Sequence, residues 1–354
     1  MAPRTAAMAA PPASPAAPQQ GAQQPAVAAR PFRYGVQQVD DVPYDQTVTT
    51  TGSVQTLLTY EIPSTGFLER VDILVTGTTS GNSATVTFAA NGPQNAIDSV
   101  QFVDTNNQPI VGPFGGQELA IINKFGGYAF NEDFRNNPLY SATTGSGGTG
   151  GSFQFALRIP LELVPRDGLG SLPNKSASTP FKVKLTIAAT ATIYGTGPTA
   201  APSVRVRMVP RSYWQPQAAD MFGNPLAQNP PAVNTTQYWQ LATYTLPAGS
   251  FAQQLSSSVG FPIRNLVFGL TDSNGSRSQG ESDWPDPLKI QLEANIIADR
   301  IKLLWQWYMS QMYGYTGAVG DAAGGKDNGY YVESYCNEFF GKPGWETRRG
   351  YLPT

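Results

Sequence analysis

The sequence predicts an all-β chain with a few short helices, arranged as two tandem sheet domains. Charged residues make up only 14% of the 354-residue chain, well below the roughly 25% of an average soluble protein. The chain also contains 36 glycines and 30 prolines, which provide many turns. Apolar and polar residues alternate along many short runs, as expected for strands with one buried face. Matching motifs recur about 185 positions apart, which indicates a duplicated domain.

Residues 1–32 consist mainly of Ala, Pro and Gln, with almost no large apolar side chain. Such a segment buries too little apolar surface to offset its ordering entropy, so we expect it to be disordered in isolation. Two interpretations remain open: a tail without function, or an arm that becomes ordered only in an assembly. Prolines and glutamines interrupt the alanines, so the segment does not fit a signal peptide.

Residues 33–209 form the first predicted sheet domain, because this region contains the longest alternating runs. The apolar positions of these runs are Val71, Ile73 and Val75; Phe153, Phe155, Leu157, Ile159, Leu161 and Leu163; Phe181, Val183, Leu185 and Ile187; and Val204, Val206 and Met208. Turn-rich loops such as 143–151 separate the runs, which is typical of antiparallel sheets.

Residues 210–235 are rich in Pro and Gln and are interpreted as a linker. Residues 236–354 form the second predicted sheet domain, with alternating apolar residues at 266–270 and 288–292. Its strongest link to the first domain is a recurrent motif: Thr59–Pro63 returns as Thr243–Pro247, 184 positions later.

The second predicted domain is short, because about 120 residues follow the linker. Its alternating runs account for two fewer strands than those of the first domain. Either early strands lie within loops such as 250–260, or the sequence is truncated. A truncated sandwich would leave an unpaired strand edge and would tend to aggregate.

Two segments have helical rather than strand periodicity. In Gly116–Phe125, apolar residues recur on one helical face and two glycines follow, which is a common helix end. In Asn295–Tyr313, Asn295 is the expected N-cap and Gly314 the expected stop. The residues expected on its buried face are Ile297, Ile301, Leu304, Tyr308 and Met312. We interpret both helices as packing elements.

Residue types that are common in enzyme active sites are scarce in this chain. The chain has no histidine and a single cysteine, Cys336, which removes the commonest general base, the commonest metal ligand and any intrachain disulfide. The 25 acidic residues include no preferred pair for glycoside hydrolysis. The net charge is −2 without a strong basic run, which argues against direct, sequence-specific nucleic-acid binding. We therefore predict that the chain is not an enzyme and has no catalytic, cofactor-binding or metal-binding residues and no cofactor.

Two glycine motifs resemble phosphate-binding loops. Gly145, Gly147 and Gly150 have the spacing of a dinucleotide-binding loop, but a strand rather than a helix follows them. Gly320–Lys326 has the spacing of a P-loop, but Asp327 stands where Ser or Thr should bind Mg²⁺. We interpret both as ordinary loops.

Two further groups of polar residues receive structural interpretations. Glu281, Asp283 and Asp286 lie close enough in sequence to bind Ca²⁺, but their spacing is not that of an EF-hand. A solvated loop is the preferred interpretation. The N-x-S/T triplets begin at Asn174, Asn234 and Asn274. Such triplets arise often by chance in a Ser- and Thr-rich chain.

Several motifs together resemble double jelly-roll major capsid proteins, and are most similar to those of tectivirus-like phages. These motifs are DSVQFVD (98–104), QPIV (108–111), ELAIINKFGGY (118–128), YEIP (60–63), GFLER (66–70) and GYLPT (350–354). The resemblance covers roughly residues 45–354. It implies a fold of two eight-stranded jelly-roll β-sandwiches.

The resemblance also implies a structural role in a virion. In that role, three subunits form a pseudo-hexagonal homotrimer, and many trimers tile an icosahedral shell over an internal membrane. The expected partners are other copies of the chain, minor capsid and vertex proteins, and membrane lipids near the N-terminal arm. Assembly in the host cytoplasm is expected, in agreement with the single cysteine.

Two alternatives from other functional classes stay open. One is a jelly-roll hydrolase, which needs a paired-carboxylate cleft that the sequence does not locate. The other is a jelly-roll carbohydrate-binding or receptor-binding viral spike protein. The aromatic platforms for a sugar would be Trp214, Trp239, Trp284 and Trp345. Two similar domains with matched helices favour a tiling subunit over a spike.

Overall fold

The computed structural model describes residues 29–40, 43–80, 84–89, 91–126, 138–163, 168–217, 219–224, 226, 228–230, 236–247, 252–254, 263–271, 286–292, 294–313 and 329–335. The strands are β1 (Gln38–Asp40), β2 (Tyr44–Thr49), β3 (Gln55–Thr56), β4 (Tyr60–Glu61), β5 (Phe67–Thr78), β6 (Thr87–Phe88), β7 (Ile97–Val103), β8 (Pro109–Phe114), β9 (Ser141–Ala142), β10 (Phe153–Pro160), β11 (Leu172–Pro173), β12 (Lys182–Ile187), β13 (Tyr194–Thr196), β14 (Ser203–Tyr213), β15 (Asn265–Gly269), β16 (Leu288–Leu292), β17 (Asn295–Arg300) and β18 (Tyr330–Ser334). The α-helices are α1 (Phe32–Gly35), α2 (Gly116–Phe125), α3 (Thr190–Ile193) and α4 (Lys302–Tyr313), and a 3₁₀ turn spans Gln94–Ala96.

The first half of the molecule, up to β14, contains two antiparallel sheets. The larger sheet has the order β1-β14-β5-β10-β9, with β2 also beside β14 and β11 beside β5. The smaller sheet has the order β3-β12-β7-β8, with β4 also beside β12. The inner faces of both sheets meet in one hydrophobic core, where Val75 and Phe155 of one sheet pack in the same cluster as Phe102 and Val183 of the other.

The main strands are divided between the two sheets in a fixed order. We take β2, β4, β5, β7, β8, β10, β12 and β14 as the first to the eighth strand. The larger sheet then holds the first, eighth, third and sixth strands side by side, and the smaller sheet holds the second, seventh, fourth and fifth. This interleaving is the topology of a jelly roll.

The strands predicted in the first half are confirmed. In β10, Phe153, Phe155, Leu157 and Ile159 are buried while the residues between them are half-buried and lie on the outer face. The same alternation occurs in β12 and in the central part of β14. Strand β14 continues to Tyr213, so the first sandwich extends four residues beyond residue 209, the predicted boundary. The extension occurs because β1 pairs with Arg211–Tyr213 and keeps this end of β14 in the sheet.

The predicted helix at Gly116–Phe125 is confirmed as α2. Its residues Leu119, Ile122 and Phe125 are buried, and the Gly126 amide closes the helix by donating to the Ile122 carbonyl over 2.8 Å. Helix α2 packs most extensively against β10. Asn123 Nδ2 donates to the Arg158 carbonyl over 2.7 Å, and Asn123 Oδ1 accepts from the Arg158 amide over 2.7 Å.

In the second half, the described strands form two short antiparallel ladders. One ladder pairs β15 with β18, and the other pairs β16 with β17. Helix α4 packs against β18, and its Trp305, Met309 and Tyr313 side chains are buried there with Tyr331 and Val332. No helix in the described part of the chain is long and apolar enough to span a membrane.

The prediction of one helix over Asn295–Tyr313 is wrong in its first part. Residues 295–300 are β17, because their backbone groups pair with β16. The helix begins at Lys302, whose amide donates to Asp286 Oδ1 over 3.2 Å. A carboxylate is a favourable partner for the free amides of a first helical turn.

The buried face of this helix also differs from the prediction. Ile301, Leu304 and Tyr308 are between 44% and 52% exposed, whereas Trp305 and Met309 are buried. Apolar side chains occupy both faces of α4, so the sequence periodicity alone does not decide whether Leu304 or its neighbour Trp305 is buried.

The two copies of the duplicated motif do not form matching structures. Tyr60 in Thr59–Pro63 lies in β4, but Thr243–Pro247 forms no strand.

Candidate functional surfaces

Helix α4 and the residue before it, Ile301, expose a set of apolar side chains away from the buried stripe of the helix. The exposed set, which we call the α4 patch, consists of Ile301, Leu303, Leu304, Trp307 and Tyr308, each between 44% and 53% exposed. With about half of each side chain exposed, at about 200 Å² per side chain, the patch presents roughly 500 Å² of surface. The largest apolar patch of a typical monomer is about 300–600 Å² and often mediates contacts.

Among the residues of α4 itself, no exposed charge interrupts the α4 patch. The single charged residue of α4 is Lys302, and its side chain is buried. The rings of Trp307 and Tyr308 lie 5.2 Å apart and form one continuous aromatic surface. Interface cores are enriched in aromatic residues and depleted of charge, so this face has the composition of a protein interface.

The two halves share a hydrophobic contact. Ile121 and Phe125 of α2 are buried in the same cluster as Trp305 and Tyr313 of α4. The Phe125 and Tyr313 rings meet edge to face with centroids 5.3 Å apart. The Trp305 indole donates to the Val332 carbonyl over 2.7 Å, which fixes α4 against β18.

A polar bridge reinforces this contact. Gln237 Nε2 donates to the Glu162 carbonyl over 3.0 Å, and Gln237 Oε1 accepts from Arg264 Nη1 over 2.6 Å. The buried Gln237 side chain therefore joins the end of the first sandwich to the start of β15. Nearby, Trp239 packs against the core of the first sandwich.

The N-terminal segment is held at one end of the first sandwich by an aromatic cluster. The Phe32 ring of α1 meets Phe67 and Tyr213 edge to face, with centroids 5.5 Å and 5.2 Å away. Gly168 leaves room for this ring, because a Cβ at Gly168 would lie 2.8 Å from it, and its φ of +79° also favours glycine. The Arg30 amide donates to the Leu226 carbonyl over 3.1 Å, which ties the segment to the region after β14.

A buried carboxyl group lies beneath this aromatic cluster. The Tyr213 hydroxyl donates to Glu162 Oε2 over 3.0 Å, and Arg33 in turn donates to the Tyr213 hydroxyl. Glu162 Oε1 is buried and has no hydrogen-bond partner among the described residues. Burial, and then the charge of the neighbouring Glu69, raise the pKa of Glu162 to about 8. Glu162 is therefore largely protonated at neutral pH.

The structure does not support the phosphate-binding motif in the first half. Gly145 and Gly147 have φ values of +101° and +121° and lie in the turn between β9 and β10. The Gly145 amide donates to the Val86 carbonyl over 2.9 Å, so this amide is not available to a phosphate. Strand β10 follows, so no helix N-terminus faces the loop.

Other candidate residues have structural partners or lie outside the described ranges. Asp286 caps α4, and Asn174 is buried and donates to the Pro63 carbonyl over 2.7 Å. Among the described side chains, no group of three or more His, Cys, Asp or Glu is placed to hold a metal ion. The positions outside the described ranges are Gly320–Lys326, Asp327, Glu281, Asp283, Asn234, Asn274, Trp284, Trp345 and Cys336.

Sequence reasoning missed the buried Glu162. It stands between Leu161 and Leu163 in an alternating run, where an outward, solvated position is expected. Strand β10 ends at Pro160, so the alternation no longer sets the direction of the next side chains. The proline in the run is the signal that could have indicated the end of the strand.

The comparisons with known proteins identify the fold. No family model matches the chain, and no curated protein matches it. Among solved structures, the major capsid protein of Sulfolobus turreted icosahedral virus (STIV) matches with a TM-score of 0.50 at 15% identity, over 88% of each chain. A quasi-atomic structure of the PBCV-1 virus capsid matches with a TM-score of 0.51 at 12% identity, over 94% of this chain and 83% of the other. A PBCV-1 capsid protein structure fitted into a reconstruction of the virophage Sputnik matches with a TM-score of 0.50 at 13% identity, over the same shares.

These matches extend over both halves of the chain, and the matched structures are double jelly-roll proteins. The interleaved strand order of the first half agrees with them independently. At 12–15% identity the likeness is one of fold. The chain therefore has the double jelly-roll fold found in the major capsid proteins of STIV and PBCV-1.

Proposed function

We propose that this chain is a viral major capsid protein, a structural subunit that acts by binding copies of itself. The main support is the double jelly-roll fold, which matches capsid proteins over 88–94% of the chain. The α4 patch supports self-association, because its area and uncharged composition suit a contact that is buried in an assembly. This role requires no catalytic residues.

The finer proposals concern the assembly. We propose homotrimers of pseudo-hexagonal outline that tile an icosahedral shell, with minor capsid and vertex proteins as further partners. An internal membrane, a tectivirus-like phage origin and assembly in the host cytoplasm rest on the sequence resemblance. The proposed domains are an arm at 1–32, a first jelly roll from 33 to the end of β14, a linker to 235, and a second jelly roll from 236 to 354.

A pair of matched substitutions tests the role of the α4 patch. Leu304→Asp places a charge in the patch, and Leu58→Asp makes the same change at a leucine that is 69% exposed and lies outside the patch. We expect Leu304→Asp to shift the purified protein from trimer to monomer, because a charge buried in an apolar contact strongly weakens it. Leu58→Asp should remain trimeric. Light scattering coupled to size-exclusion chromatography measures both, and a trimeric Leu304→Asp variant would exclude the patch from the interface.

The spike alternative has one specific observation in its favour. Trp214 is 50% exposed and could stack on a sugar, whereas Trp239 packs against the core and donates to Gln237 Oε1 over 3.2 Å. A glycan array distinguishes the two functions. Glycan binding by a monomer, lost in Trp214→Ala, would support the spike; trimers without glycan binding support the capsid subunit.

A further inference from the structure

The outer face of the larger sheet contains a small groove with an unusual lining. Its volume is about 240 Å³, below the roughly 300–1,000 Å³ of drug-sized ligand sites. The lining residues are Thr47, Thr76, Thr78, Gln154, Ser203, Arg205 and Arg207. Every lining residue has a hydrogen-bonding side chain, two are cationic and none is acidic.

The strand register explains how these side chains converge. Thr47 of β2, Arg205 of β14, Thr76 of β5 and Gln154 of β10 lie directly opposite one another in a row across four strands. Because side chains alternate between faces along a strand, Arg207 lies on the same outer face, two residues from Arg205. The residues that line the groove therefore all belong to strands of the sheet, and none belongs to a loop.

The carboxylate of Asp45, beside the groove, is already paired. The register places Asp45 of β2 opposite Arg207. The Asp45 carboxylate nevertheless accepts two hydrogen bonds from Arg205: one from Nε over 2.8 Å and one from Nη2. The hydrogen bonds from Arg205, and then the charges of Arg205 and Arg207, lower the pKa of Asp45. Asp45 is thus ionised and neutralises one of the two arginines.

Arg207 is left as an excess positive charge at the groove. Its Nε is buried and has no hydrogen-bond partner, and within the described residues its guanidinium forms no ion pair. A buried donor without a partner is unfavourable, and arginine binds planar or tetrahedral oxyanions through several N–H groups at once. The neighbouring hydroxyl of Thr47 can donate to a remaining oxygen of such a group, whereas the Thr76 hydroxyl donates to Gln154 Oε1 over 3.5 Å.

We propose that this groove binds one oxyanion, held by Arg207 and the Thr47 hydroxyl. The oxyanion comes either from a free phosphate ion or from a carboxylate on a second copy of the chain. The second source rests on the proposed capsid function, whereas the first does not.

The test uses the full-length protein with inorganic phosphate as the probe. Phosphate is titrated at constant ionic strength and followed by ³¹P nuclear magnetic resonance and calorimetry. Arg207→Gln removes the unpaired guanidinium, and Lys184→Gln removes one positive charge from the outer face of the other sheet as a matched control. Thr47→Val is a second variant that keeps the shape and β-propensity of an exposed residue while removing one donor.

A free oxyanion site predicts saturable binding at millimolar phosphate, weakened about tenfold or more by Arg207→Gln and several-fold by Thr47→Val. Lys184→Gln should bind as the unmodified protein does. If the oxyanion is a neighbour's carboxylate, phosphate binding is absent, and Arg207→Gln weakens trimer or shell formation while Lys184→Gln does not. The proposal is overturned if Arg207→Gln changes neither phosphate binding nor assembly. Phosphate binding by the isolated subunit would support the oxyanion site even if the proposed capsid function were wrong.

Discussion

The two halves of the molecule are stabilised in different ways. In the first half, two sheets enclose a single core, and strands such as β5 and β10 bury every second side chain almost completely. In the second half, the described core is smaller and includes Ile121 and Phe125 of the first half. Several apolar side chains packed against this core, including Val267 and Phe268, are only partly buried. We infer that the first half folds around its own core, whereas the second half depends on contacts with the first.

The largest effect is expected from the same substitution placed in each core. Phe155→Ala removes a fully buried ring from the first sandwich and should lower the free energy of unfolding by about 3–5 kcal/mol. Phe268→Ala removes a partly buried ring that contacts Trp305 and should cost about 1–2 kcal/mol. Chemical denaturation followed by circular dichroism measures both. Equal losses would show that the second core is as complete as the first.

The next effect concerns the pH dependence of the first half. The pKa of Glu162 is about 8 in the folded chain and near its ordinary value in the unfolded chain. A raised pKa means that the folded state holds a proton that the unfolded state has released. The contribution of the protonated Glu162 to the free energy of unfolding is therefore fully present below about pH 4.5 and is lost as the pH rises to about 8. Over this range the free energy of unfolding falls by at most about 1.4 kcal/mol per pH unit.

Glu162→Gln should remove this slope. The amide cannot ionise and still accepts the hydrogen bond from Tyr213, so the variant should exceed the unmodified protein in stability above pH 8. Glu61→Gln, at an exposed carboxylate on β4, is the control and should retain the slope. Melting temperatures across this pH range test the expectation, and an unchanged slope in Glu162→Gln would contradict it.

A smaller effect is expected from an ion pair in the second half. Arg300 of β17 donates to Glu333 of β18 through Nε over 2.8 Å and also through Nη2. Glu333 is buried, so Arg300→Met leaves a desolvated charge and should destabilise the protein by about 1–3 kcal/mol. The double variant with Glu333→Gln should recover part of this loss. A double-mutant cycle without coupling would show that the pair does not link the two ladders of the second half.

The smallest effect is expected from the exposed pair on the first half. Arg205 and Asp45 are both exposed on the outer face of the larger sheet. Water and salt screen the attraction between such exposed charges, so Asp45→Asn should leave the free energy of unfolding nearly unchanged. Thermal unfolding at low and high salt measures the change. A large loss of stability that does not depend on salt would mean that the pair is needed for the stability of the sheet.

The same contrast explains what the sequence could and could not predict. In β10 and β12 a strict alternation determines which side chains are buried, so the strands and α2 are predicted correctly. In α4, Leu304 and Trp305 are both apolar, and only the packing of Trp305 beneath Val332 decides which of them is buried. The groove at Arg207 was not predicted either, because it results from the register of four separate strands.

Microscopy of the purified full-length protein tests the central claim most directly. A double jelly-roll capsid subunit should form trimers, and negative-stain images should show particles of pseudo-hexagonal outline or curved sheets and shells made from them. Particles of a single chain at every concentration, without any pseudo-hexagonal class, would contradict the proposed capsid function.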